Sequence, residues 1–152
     1  MSSGLLVKRC EIVVPVPPVA AARARGGRNG HYTPTPYRQY LSVVCNSWIV
    51  AGRPRLPDGV PLRAECTFYV ERPPSHLLAG GKLAKGKPVF PIYTPDLDNL
   101  VKALLDGVTD HDKRGPAAIR DDAPIVELVA RKRYAVGDVE PCAVLALEVC
   151  YA

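Results

Sequence analysis

Two stretches, each opening directly behind a proline, carry apolar residues at helical spacing, and they constrain the fold of this chain more than anything else in it. In the first, Thr35 can cap a helix and Pro36 suits its first position. Tyr37, Tyr40, Leu41, Val44, Cys45, Trp48 and Ile49 then recur at the i, i+3, i+4, i+7 spacing of one buried face, until Gly52 and Pro54 stop the helix. That spacing makes the Tyr and Trp side chains core rather than a base-stacking platform. In the second stretch, Leu97, Leu100, Val101, Leu104, Leu105 and Val108 form one stripe behind Pro95, predicting a helix that runs to about Val108.

The remaining apolar runs have the character of strands. "CEIVVPV", residues 10–16, is cut short by Pro15, Pro17 and Pro18, and Leu62, Ala64, Cys66, Phe68 and Val70 alternate with period two before Pro73 and Pro74. "APIVELVARKRYAV" and "CAVLALEVCYA" supply two more strands. About seven residues join them, too few for a crossover between parallel neighbours, so they are expected to pair antiparallel. The expected fold class is α+β: a small mixed or antiparallel sheet of about four strands with two main helices packed on one face, in a single domain over residues 1–152.

No run of 18 apolar residues and no signal-peptide pattern is visible, which predicts a cytoplasmic protein with no membrane partner. The five cysteines, Cys10, Cys45, Cys66, Cys142 and Cys150, lack CxxC spacing and suit buried, reduced thiols. His31, His76 and His111 stand apart without ligand spacing, as exposed or internally satisfied histidines do.

Charge is segregated. Residues 1–95 hold thirteen Lys/Arg against Glu11, Asp58, Glu65 and Glu71, a net +9, whereas residues 96–152 hold seven against eleven acids, a net −4. Seven of the nine aspartates fall between 96 and 122. A basic body around a small acidic centre fits a polyanion partner and a cation site within it. "ARARGGRNGHYTPTP" places Arg23, Arg25 and Arg28 among glycines that let a backbone approach a ligand, and Lys82, Lys85 and Lys87 lie in a second Gly/Lys-rich connection; all six are candidate phosphate contacts.

In "TPDLDNLVKALLDGV", two helical residues two apart would point about 200° away from each other. Asp96 is therefore expected just before the helix, in extended backbone behind Pro95, and Asp98 at its N-cap or first turn. Lys102, four residues on, lies above Asp98. A further pair, Asp121 and Asp122, precedes a strand. Carboxylates brought from two segments suit a hard cation such as Mg²⁺, with Lys102 offsetting charge on a phosphoryl transition state or simply pairing with Asp98 or Asp106. A lone DxD is weak evidence, since glycosyltransferases also use one. An EF-hand starting at Asp110 would take Asp112, Gly115 and Asp121, but Arg114 occupies one of its ligand positions.

The string "PDLDNLVKALLDGV" followed by "DDAPIVELVARKRY" closely resembles the RusA family of Holliday junction resolvases, common among phages and prophages. The resemblance implies a divalent-metal nuclease, with Mg²⁺ or Mn²⁺, that cuts four-way DNA junctions as a homodimer. It also implies that Asp96, Asp98, Asp122 and Lys102 carry catalysis, supported by Asp121 and Asn99. The link "TDHDKRGPAAIR" is longer than that family usually shows, and "VAAARAR" stands where its polar residues follow the Pro-Pro. The rival readings are a non-catalytic basic DNA-binding module and a metal nuclease acting on flaps.

Overall fold

The computed structural model describes residues 5–22, 25–27, 30–32 and 34–150, with side chains for all of these except 25–27 and 30–32. In chain order the strands are β1 (Leu5–Leu6), β2 (Arg9–Val14), β3 (Arg25–Gly27), β4 (Gly30–Tyr32), β5 (Pro54–Arg55), β6 (Leu62–Val70), β7 (Ile125–Tyr134) and β8 (Cys142–Val149). The helices are α1 (Thr35–Val50) and α2 (Leu97–Val108), with a single 3₁₀ turn at Pro74–His76. The expected α+β class holds, with one mixed four-stranded sheet in the order β2-β8-β6-β7. Two short ladders, β1 with β5 and β3 with β4, accompany it.

Strand alternation decides which face is covered. Cys10, Ile12 and Val14 of β2 pair with Leu147, Leu145 and Ala143 of β8, which in turn lie opposite Ala64, Cys66 and Phe68 of β6. All nine are buried, and with Leu100, Leu104 and Val108 of α2 and Val44 of α1 they form one core. Burying Phe68, which is 0% exposed, contributes about 2–3 kcal/mol from apolar transfer alone. The opposite face is half-buried and charged. There Arg63 bridges Glu65, Glu127 and Glu148, and Arg131 bridges Glu65 across the β6–β7 pair.

The expected antiparallel pairing of the last two strands does not form. β7 and β8 do run in opposite directions, but β6 lies between them, antiparallel to β8 and parallel to β7. The short link argues correctly for direction and wrongly for adjacency. Two strand spacings are only about 10 Å, and seven extended residues reach more than twice that. The parallel β6–β7 pair is made possible by the long crossover through α2, which returns the chain to the same end of the sheet.

α1 starts one residue earlier than its sequence suggests, with Pro34 as the capping residue and Thr35 already helical. Tyr37, Tyr40, Leu41, Val44 and Trp48 are buried as expected, and the Trp48 indole donates to the Pro54 carbonyl at 2.7 Å. Cys45 is only half-buried and Ile49 is exposed, because the buried stripe is narrower than the pattern. Gly107 of α2 packs directly on Val44 of α1.

The five cysteines are free thiols. Burial pushes Cys10 up to about 11 and Cys66 up to about 12, so both stay protonated. His76 departs from expectation. It is buried edge-on against the Tyr134 ring, and its Nδ1 has no hydrogen-bond partner among the described residues. Also among the described residues, no helix is long and apolar enough to cross a membrane.

Candidate nuclease site

Asp96 is the N-cap of α2, with extended backbone (φ −72°, ψ 140°), and Asp98 lies in the first helical turn, as the two-residue spacing requires. The Asp96 side chain makes no capping hydrogen bond. An aspartate here ordinarily accepts from the second or third helical N–H, so the carboxylate is left for another task. Among the described residues Asp98 accepts from the neighbouring Asn99 N–H alone, at 2.9 Å.

One turn on, Lys102 is exposed and makes no ion pair among the described residues, so the simple pairing with Asp98 or Asp106 does not form. Asp106 is held instead by Tyr37 of α1, whose hydroxyl donates to Oδ2 at 2.6 Å. Burial and that carboxylate together push the Tyr37 hydroxyl well above its ordinary range.

The helices do not fully cover the edge strand β7. Leu128 of β7, although on the helix-facing side, is half-exposed, and between it and α2 runs a groove of about 630 Å³. Its floor includes Val101, Leu105 and Ala130, and its polar groups are Asp98, Lys102, Asp106 and Asp122. Three of the residues singled out by sequence, Asp98, Lys102 and Asp122, thus share one groove although they come from separate segments of the chain. Asp121 faces a different cavity, with Asp58 and Arg120, and its carboxylate accepts from the Ala123 N–H at 3.1 Å.

Among the described residues no three Asp, Glu, His or Cys side chains converge closely enough to hold an ion by themselves. Mg²⁺ does not require three. It is commonly bound through one or two carboxylates, with water and substrate phosphate completing its shell. Asp98 and Asp122 on a groove open to solvent, with Asp96 uncommitted at the helix N-terminus, are oxygen donors of the kind such an ion takes.

The long link before Asp121 is packed rather than loose. Asp110 receives two hydrogen bonds from the Arg55 guanidinium, one of them at 2.9 Å, and a third from the Ala117 N–H at 2.8 Å. Partial burial pushes the Asp110 carboxyl up, but these hydrogen bonds and the Arg55 charge outweigh it and hold the group below the usual carboxylate range. Bridges between Thr109 and Ile119 and between His111 and Gly115 close the loop, and Ala117, Ala118 and Ile119 are buried. With Asp110 committed to Arg55, the EF-hand alternative loses its first ligand.

Of the six candidate phosphate contacts, Arg23 and Arg28 lie outside the described residues, and Arg25 is described only as backbone, at the start of β3. The chain enters that segment beside the acidic site, since the Ala21 N–H donates to the Asn99 carbonyl at 2.9 Å. Lys82, Lys85 and Lys87 are exposed on the connection leading to α2.

Sequence reasoning passed over Lys132. On β7 it shares the helix-facing side with Leu128, Ala130 and Tyr134, directly opposite the buried Phe68. Its ammonium donates to the carbonyls of Tyr93 and Pro95, at 2.7 and 2.8 Å. The available signal was a charge interrupting an apolar alternation.

A small α+β domain with a basic N-terminal body and an aspartate-lined groove at a helix N-terminus has the parts of a phosphodiester-cleaving enzyme. The family model described as Endodeoxyribonuclease RusA matches residues 15–140. The chain belongs to the RusA family of endodeoxyribonucleases, which resolve Holliday junctions and are generally metal-dependent. No curated protein matches it.

Proposed function

We propose that this enzyme is a Mg²⁺-dependent resolvase, with Mn²⁺ as a possible substitute, that cuts four-way junctions by symmetric paired nicks as a homodimer. The observation that carries the reading is the sharing of one groove by Asp98, Lys102 and Asp122, with Asp96 at the helix cap making no capping hydrogen bond. In this reading Asp98 and Asp122 would hold the cation from the groove with water and substrate phosphate in its shell, Asp96 would close on it from the helix cap once the ion is bound, and Asp121 and Asn99 support the site from its margin. When bound, a hard divalent ion lowers the pKa of an attacking water and offsets charge on the scissile phosphodiester.

The protein's own groups do the rest. In this reading the exposed Lys102 ammonium, which has no ion pair among the described residues, approaches a phosphate oxygen and favours the more highly charged transition state over the ground state. The α2 N-terminus, with its partly positive amides, adds to the same field. Arg23, Arg25, Arg28, Lys82, Lys85 and Lys87 supply backbone affinity, which weakens steeply with salt. A junction has two-fold symmetry, so two copies of one site related by a two-fold axis match its two equivalent strands. Selection of branched over linear DNA then rests on shape and deformability rather than base contacts.

The test is Asp98→Asn assayed for binding and cleavage side by side, with a junction, a flap and a linear duplex at one salt and Mg²⁺ concentration. Junction binding should persist while cleavage is lost. Equal loss of both with the fold intact favours a DNA-binding module, and faster wild-type cleavage of the flap than of the junction favours a flap nuclease.

A further inference from the structure

We infer that Lys132 is a positioning residue for Asp96, setting the direction of that carboxylate from the far side of the loop; the inference rests on the metal-nuclease reading above. Lys132 occupies a place that strand alternation gives to an apolar side chain, opposite Phe68 on the helix-facing side of the edge strand, where it is half-buried. An ammonium there gives up part of its hydration, which well-placed acceptors replace. It has two, the carbonyls of Tyr93 and Pro95, at 2.7 and 2.8 Å.

The second of these acceptors bears directly on the site. The Pro95 carbonyl belongs to the peptide unit whose nitrogen is that of Asp96, so Lys132 fixes the plane that enters Asp96. The plane that leaves Asp96 is fixed by the helix, since its carbonyl accepts from the Leu100 N–H at 3.1 Å. With both flanking planes held, the backbone of Asp96 is pinned and its Cα–Cβ bond has one direction. The carboxylate itself carries no capping hydrogen bond. A side chain aimed by its backbone and left uncommitted at its tip is prepared to receive a ligand without first giving up another contact.

Outer groups that orient a metal-binding carboxylate are felt in affinity as well as in rate. Lys132→Met keeps the length and apolar stem while deleting the donors. Mn²⁺ uptake by the DNA-free protein, read from the electron paramagnetic resonance signal of the free ion, should weaken about tenfold to a hundredfold, with a parallel fall in single-turnover junction cleavage. Junction affinity in EDTA should stay within about twofold, because Lys132 is turned to the loop carbonyls and not to a phosphate track. Lys132→Arg, whose guanidinium can also serve two carbonyls, should recover most of both losses.

Unchanged Mn²⁺ affinity in Lys132→Met overturns the inference, as does a loss that Lys132→Arg fails to restore. If Lys132→Met does not fold, Lys132→Leu, which likewise has no side-chain donor and suits an apolar strand position, is judged by the same criteria. Asp96→Asn in parallel separates the two levels. If it binds Mn²⁺ and cleaves like the wild type, the metal reading fails; if it loses both while Lys132→Met is unaffected, only the role of Lys132 fails. Should the wild type take up no Mn²⁺, with or without junction, both fall.

Discussion

Gly107→Ala tests how α2, and with it the whole acidic site, is seated. A methyl group built on Gly107 would lie 2.5 Å from Val44 Cγ1 and 2.6 Å from Val44 Cβ, with Cγ2 at 3.2 Å. Carbon atoms pack at about 3.5–4.0 Å, so roughly 1 Å of separation has to be found. Val44 is 0% exposed and β-branched on a helix, with one strongly preferred rotamer, so it cannot swing aside; the two helices must move apart.

Overpacking of this kind costs about 3 kcal/mol, the upper part of its usual range. Replacing helical Gly by Ala returns about 1 kcal/mol. The net loss of about 2 kcal/mol lowers the thermal midpoint by about 4–8 °C in a chain of this size. Circular dichroism melting and urea unfolding both measure it. Val44→Ala alone should cost about 2 kcal/mol for its lost methyl groups and the cavity they leave. The double variant should fall at least about 1 kcal/mol short of the additive total, because the smaller side chain makes room for the added methyl. A Gly107→Ala protein as stable as the wild type, or strict additivity in the double variant, would refute the close helix contact.

Two further outcomes follow from the site and its support. Asp122→Asn should abolish junction cleavage while Asp121→Asn retains most of it, since only Asp122 lines the groove with Asp98 and Lys102; comparable losses in both would contradict that division. Asp110→Ala leaves the Ala117 N–H without its acceptor and takes two hydrogen bonds from the Arg55 guanidinium, which keeps only Asp58 and the Ala117 carbonyl among the described residues, and should cost about 2 kcal/mol at neutral pH in a urea titration. The folded pKa of Asp110 lies below its unfolded value, so this contribution is complete above about pH 4 and is lost as the pH falls through the folded pKa. Wild type and variant should therefore converge in stability at the acid end. A gap that stays undiminished as the pH falls to the acid end of the titration would show that the carboxylate charge is not its source.

Much of this molecule is written in its local patterns. Both helices, the period-two strands and the α+β class follow from the spacing of apolar residues and the placement of prolines, because burial of one face is a local rule repeated along the chain. The placement of Asp96 before α2 and Asp98 within it was equally legible, since Pro95 and a two-residue spacing leave little choice. Membership of the RusA family was carried by "PDLDNLVKALLDGV" and "DDAPIVELVARKRY".

What no local pattern contains is which element lies beside which. The insertion of β6 between β7 and β8 depends on the long crossover over residues 71–124, and it alone sets the edge strand that walls the groove. The split between Asp121 and Asp122 onto different cavities, the closure of the link by Arg55 and Asp110, and the fit of Gly107 against Val44 are likewise contacts between distant segments. Lys132 is the sharpest case. A charge on an apolar face looks like an error along the strand, and only the fold supplies the two carbonyls that satisfy it. Sequence periodicity fixes which side of each element is buried, whereas partner and distance are settled by packing the elements together, where a single side chain answers to neighbours that its own segment never names.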